Sequence, residues 1–258
     1  MGYKTKIDWC DASWNPVTGC FHGCEYCYAR RMAHRYAGSL NSDGGLHVLD
    51  KPYRGNIGPI LFKAEPYPYD FDPTFHRYRL DIPSRWQRPR TIFVCSMADL
   101  FGDWVPDEWI KDVFDACKKA PQHRYLFLTK NPGRIWRLIN KGMWMPNTID
   151  WWFGYTIDGK WEISSESPVG SRNFCSVEPL LQKPDPEMLD QIAMTAWCII
   201  GAETGNRKGK VIPEKDWIDT IVSRCREVET PVFMKESLRG IMGDDFRQEF
   251  PWEAERNG

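Results

Sequence analysis

Six short apolar runs, spaced along the chain from Thr91 onward, constrain the fold more than any other feature. They read "TIFVCSM", "RYLFLTK", "WWFGYTI", "NFCSVEP", "WCIIGAE" and "PVFMKE". Each is rich in β-branched or aromatic residues, lacks the alternation of a half-solvated strand, and is too short for a helix, as expected of strands buried on both faces. Helix signals fall between them: Pro106-Asp107 opens a stretch to about Lys119, Pro132 one to about Lys141, and Pro213 one to about Val228. Strand and helix repeated in this order imply a parallel sheet with right-handed crossovers. Two upstream runs, "SWNPVTG" and "PILFKAE", bring the count to about eight strands, the first weakened by Pro16. The fold class is therefore α/β, a complete or partial (βα) barrel, read as one domain over residues 1–258.

The segment from Tyr67 to Arg90 interrupts the alternation as an irregular insertion around 66–90. It interleaves Arg77, Arg79, Arg85, Arg88 and Arg90 with Phe75, Tyr78 and Trp86, a mixture suited to phosphates and stacked bases, or to a solvated loop whose arginines pair with nearby acids. The loop from Gly38 to Gly58, with "NSDGG", reads as a flexible lid. Overall charge gives no direction, because 34 Lys and Arg nearly cancel 35 Asp and Glu. No apolar run reaches a membrane span, and "MGYKTKIDWCDASW" lacks the apolar core of a signal peptide, so a cytoplasmic protein is expected.

In a reducing compartment nine cysteines are not a disulfide framework. Three of them crowd into "GCFHGCEYCYARR", where Cys20, Cys24 and Cys27 form C-x3-C-x2-C ahead of a helix running through "YARRMAHRYA" toward Gly38. Structural zinc takes four ligands, commonly as two separated pairs. Here the nearest fourth candidates are Cys10, His22 and His34, and no second C-x2-C follows. A lone triplet suits a [4Fe-4S] cluster with three irons tied to the protein and one left open. Of the other cysteines, Cys95, Cys175 and Cys198 lie in apolar strands and Cys117 and Cys225 in helices, ordinary positions for a small core residue. Cys95 and Cys175, near their strand ends, could instead return a hydrogen atom to a product radical. Thirteen tryptophans point mainly to packing, although Trp14, Trp86, Trp104 and Trp161 fall in expected loops where a ring could stack on a base.

C-x3-C-x-aromatic-C, with Tyr26 as the aromatic, resembles the signature of the radical S-adenosylmethionine (SAM) superfamily, and "CEYCYA" is similar to a stretch of spore photoproduct lyase. The longer "SWNPVTGC…CEYCYARRMAHRY", with "SVEPLL" and "IGAETG" downstream, resembles a phage and prophage three-cysteine-motif family distantly related to that lyase, over about Trp14 to Glu236. The resemblance implies a barrel of the radical SAM type, a [4Fe-4S] cluster on Cys20, Cys24 and Cys27, S-adenosylmethionine on the open iron, and a 5′-deoxyadenosyl radical that takes hydrogen from substrate. It further implies adenine contacts near Tyr26 and, from the second strand, backbone contacts to the cofactor amino group, mapped to Lys63, Ala64 and Glu65. Ser96, Thr129 and Glu178 are cofactor candidates at strand ends. Asp99, which follows "CSMA" with no evident capping duty, ranks first for catalysis, with Cys95 and Cys175 beside it. The implied partners are a reductant such as flavodoxin or ferredoxin and a nucleic-acid or nucleotide substrate, with a modified thymine in phage DNA as one case. Two alternatives stay open: the same chemistry on a peptide or small metabolite, and a zinc-binding, nucleic-acid-binding module without catalysis.

Overall fold

The computed structural model describes residues 5–57, 60–61, 63–143, 146–158 and 172–254. All six apolar runs become parallel strands, joined by a seventh near the amino terminus. These are β1 (Ala12–Trp14), β2 (Thr91–Val94), β3 (Arg124–Thr129), β4 (Asp150–Thr156), β5 (Asn173–Val177), β6 (Cys198–Ile200) and β7 (Val232–Met234). They are hydrogen-bonded neighbours in chain order, in one open sheet. The observed fold is thus α/β and the partial form of the (βα) barrel. The connecting helices are α1 (Tyr28–Arg35), α2 (Asp107–Lys118), α3 (Pro132–Asn140), α4 (Pro186–Ala193) and α5 (Lys215–Glu227). α4 is an addition to the expected helices, although its signal is present: Pro186 stands at its first position and the Asp185 carboxylate accepts the Met188 amide hydrogen at 2.8 Å. The "DGKWEISSESPVGS" stretch, where a further crossover helix belongs, lies outside the described residues after Asp158, Trp161 included.

Two upstream expectations need correction. "SWNPVTG" divides at Pro16, which has no amide hydrogen for a ladder: Ala12–Trp14 joins the main sheet, while Val17–Thr18 pairs antiparallel with Thr74–His76. Among the described residues "PILFKAE" does not supply the second strand; Ile60–Leu61 pairs with Asn56–Ile57 in a separate two-stranded ribbon. β2 takes that place beside β1, with Ala12 opposite Ile92 and Trp14 opposite Val94. The "NSDGG" loop is tied down in part, because His47–Leu49 runs parallel to Thr74–His76.

The chain condenses into two compact units, Met1–Phe127 with Arg137–Trp151, and Leu128–Trp136 with Trp152–Gly258. In the first, Phe114 of α2 packs its ring 5.3 Å from those of both Phe127 and Trp151 and 6.3 Å from Phe101. α2 also matches its own dipole, with Asp107 and Glu108 in its first turn and Lys118 in its last. In the second unit, Cys175, Val177, Cys198 and Ile200 face Met188 and Ile192 of α4 and Ile218, Ile221 and Cys225 of α5 in one apolar layer. Among the described residues no helix is long and apolar enough to cross a membrane.

Candidate metal centre

In parallel α/β folds chemistry collects beyond the carboxyl ends of the strands, and in the first unit the loops leaving β1 and β2 are joined there. After Trp14, the Asn15 side-chain oxygen accepts the Ser96 hydroxyl at 3.2 Å and the Met97 amide at 2.9 Å. The Gly19 amide then donates to the Met97 carbonyl at 2.9 Å, and the Cys20 amide to the Phe71 carbonyl at 3.2 Å. Gly19 is required for close approach as well as conformation. Its φ is +87°, and a Cβ there would sit 2.2 Å from the Asp72 carbonyl oxygen.

From this anchored start the loop carries Cys20, Cys24 and Cys27, three partly exposed cysteines. Cys27 is the N-cap of α1, its sulfur accepting the Arg30 amide hydrogen at 3.3 Å. Ala29 and Ala33 turn inward onto Phe71 and Met97, with Cys20 and Cys27 against the same cluster. Burial, followed by the nearby Asp99 charge, pushes the Cys20 thiol up to about 12, so without a bound cation it stays protonated. Among the described residues the three cysteine ligand atoms do not gather within 4.8 Å of one another. Three thiols on one short loop are a ligand set that a [4Fe-4S] cluster with one open iron could use.

Asp99 is brought to the cysteine loop. Its Oδ2 lies 2.8 Å from Nε2 of His22, between the first two cysteines, and its Oδ1 accepts the Phe101 amide hydrogen at 3.0 Å. The His22 ring meets Trp104 edge-on at 4.8 Å, and Phe21 packs on the same indole at 5.5 Å. Trp104 Nε1 is buried and finds no acceptor among the described residues, which leaves an unspent donor beside the loop. Ser96 is also there, its carbonyl accepting the Tyr28 hydroxyl at 2.5 Å, and Tyr26 is half-buried within the loop. Sequence alone marks His22 and Trp104 only as a spare ligand and a stacking ring. Their joint role depends on a fold that brings residues about 80 positions apart together.

The remaining candidates sit elsewhere. Without the second strand, the mapping onto Lys63, Ala64 and Glu65 loses its basis, and the Glu65 carboxylate instead accepts the Ser39 amide hydrogen at 2.9 Å. Cys95, at φ +59° just past β2, is buried, takes a hydrogen bond from the Val17 backbone, and has its thiol pushed up to about 12 by desolvation. In the second unit, Thr129 accepts the Asn131 amide hydrogen at 2.9 Å, opening α3, and Glu178 pairs with Lys235 beside Gly201 of "IGAETG". Cys175 is fully buried in the apolar layer against α4 and α5 and accepts the Thr195 hydroxyl at 3.5 Å.

The basic insertion is also read differently. Arg77 pairs with Asp50 at 2.5 Å, Arg85 with Asp81, and Arg79 donates to the Asn15 carbonyl at 3.0 Å, so these three are used within the fold. Trp14 is likewise internal, its Nε1 donating to the Arg79 carbonyl at 2.8 Å. The arginine and aromatic mixture reappears on α1 directly after the cysteines. Phe21, Tyr28, Met32 and Tyr36 are exposed, three of them at four-residue spacing, and Arg30, Arg31, His34 and Arg35 share the helix with no acid in its first turn.

Solved structures of spore photoproduct lyase variants are similar in fold. One superposes with a TM-score of 0.53 at 10% identity, covering 90% of this chain and 77% of that one. Another gives 0.52 at 11%, over 89% and 79%, and a third 0.51 at 11%, over 90% and 80%. No curated protein matches the chain. A family model with the description "Protein of unknown function (DUF5131)" matches residues 4–244.

Proposed function

The chain belongs to that family of unknown function, and from its cysteine loop we propose that it is a radical SAM enzyme acting on a nucleic-acid base or nucleotide. The observation that carries this reading is the set of three partly exposed thiols on one short loop past the strand ends, in a fold similar to that of spore photoproduct lyase. When bound, a [4Fe-4S] cluster with S-adenosylmethionine supplies a 5′-deoxyadenosyl radical that abstracts hydrogen from substrate.

The chain's own residues hold and shield. Cys20, Cys24 and Cys27 ligate the cluster, Asn15 and Asp99 fix the loop, and Trp104 offers its indole hydrogen to the bound group. Tyr26 and Ser96 are the nearby cofactor contacts. Cys95 is kept as a hydrogen donor held protonated by burial. Positioning and exclusion of water, rather than acid–base chemistry, are what such a site asks of the protein. The exposed aromatics and arginines of α1 support a substrate with stacked bases and phosphates, with a modified thymine in DNA as the specific case. A flavodoxin or ferredoxin serves as reductant, and the protein works in the cytoplasm.

Anaerobic reconstitution tests the proposal. The protein should bind about four irons per chain and release 5′-deoxyadenosine when dithionite is added, and both should vanish in Cys24→Ala. Undiminished cleavage in that variant, or a colourless protein holding one zinc, would overturn it. Single-stranded DNA binding should weaken steeply with salt, and weaken further in Arg31→Glu with Tyr36→Ala.

A further inference from the structure

We propose a second metal site, for a divalent first-row cation, formed by Asp43, His47 and Asp72. It lies in the first unit, apart from the three thiols, and does not depend on the function proposed above. The ligand atoms of these three side chains are all within 4.8 Å of one another, the one such group among the described residues. His47 opens the strand His47–Leu49, and its amide donates to the Pro73 carbonyl at 3.0 Å, which sets it beside Asp72. Its ring lies flat on Tyr69, with centroids 3.6 Å apart and planes 3° apart, so the direction of Nε2 is fixed. Asp43 comes from the turn with Gly44 and Gly45, whose amides close that turn on the two carboxylates.

The distances around His47 are those of long hydrogen bonds, and they also fit a cation held between the three groups. His47 Nε2 lies 3.3 Å from Asp72 Oδ2 and 3.4 Å from Asp43 Oδ1. Hydrogen bonds between charged partners are about 2.7–2.9 Å long. The His22–Asp99 and His34–Asp70 contacts are shorter, at 2.8 Å and 2.6 Å. Ligands around a cation with bonds of about 2.0–2.2 Å at tetrahedral or right angles stand roughly 2.8–3.6 Å apart, which is where the atoms around His47 stand. Asp72 Oδ2 also takes the Asp43 and Gly44 amide hydrogens at 3.0 Å each, contacts that hold the carboxylate in place.

One imidazole and two carboxylates suit Mn2+, Fe2+ or Zn2+. The site is rigid on one side and open on the other: the His47 and Asp72 side chains are 11% and 9% exposed and that of Asp43 is 71% exposed, which leaves coordination positions for water. A bound ion would tie the Asp43–Gly45 turn to Asp72, whose carbonyl abuts Gly19 at the start of the cysteine loop.

Mn2+ titration of the full chain, followed by loss of the free-ion electron paramagnetic resonance signal, tests the site, because thiolates compete poorly for this ion. One Mn2+ per chain is expected, displaced by Zn2+, with affinity falling at least tenfold in Asp43→Asn and in His47→Gln. Asp43→Asn keeps an acceptor for the Gly45 amide on an exposed side chain, so its fold is retained, and an unchanged metal-free melting curve checks this. Absence of Mn2+ binding by the native protein, or equal affinity in native and folded variant proteins, overturns the proposal.

Discussion

Gly19 shows how much of the site rests on single residues. A methyl group there meets the Asp72 carbonyl oxygen at 2.2 Å, in a backbone conformation that L-residues avoid. Gly19→Ala should therefore cost more than about 2 kcal/mol in chemical unfolding and lower the iron content of reconstituted protein, although all three thiols remain. The cysteine triplet is marked by spacing alone, and Asp99 by its place as a polar residue past a strand. Its partner His22 and the unspent donor on Trp104 are not, because no local pattern marks two residues that meet only when two loops cross. Cys175 is hard to read for the opposite reason. Position near a strand end does not say which face a side chain takes, and its alternation with Phe174 and Ser176 places it among the helices.

Elements are more legible than residues. Strands buried on both faces leave unbroken apolar runs, and each of the six became a strand, with three helices opening close to where Pro106, Pro132 and Pro213 stand. "PILFKAE" has the same composition but no place in the main sheet, since a run of apolar residues cannot specify its partner. The insertion misleads for a related reason: arginines among aromatics look alike whether they face nucleic acid or an Asp within the fold. Packing of α2 offers a test at this scale. Phe114→Ala removes a ring that touches Phe101, Phe127 and Trp151, and should lower unfolding free energy by roughly 3–5 kcal/mol. Larger loss of cluster than of stability would show α2 to be more than a packing element.

For the whole molecule, the near-zero net charge conceals a basic helix and a fully enclosed base. His76 is completely enclosed, its Nε2 2.9 Å from the Thr18 hydroxyl, and burial, aided by the Arg79 charge, pushes its pKa from 6.5 down to about 2. The unfolded chain therefore takes up a proton near pH 6.5 that the native chain refuses. Stability from this group is whole above that pH and drains away as the pH falls toward 2, by about 1.4 kcal/mol per unit in this window. Urea midpoints measured from pH 7 to pH 5 should fall accordingly, and His76→Gln should flatten the slope. An unchanged slope would place the acid sensitivity elsewhere.

The latch from His22 to Asp99, together with the bonds from Asn15, holds the thiol-bearing loop in shape using only protein groups. If the loop carries the proposed cluster, these bonds predict that loss of the cluster in air is reversed by resupplying iron and sulfide, without refolding the chain.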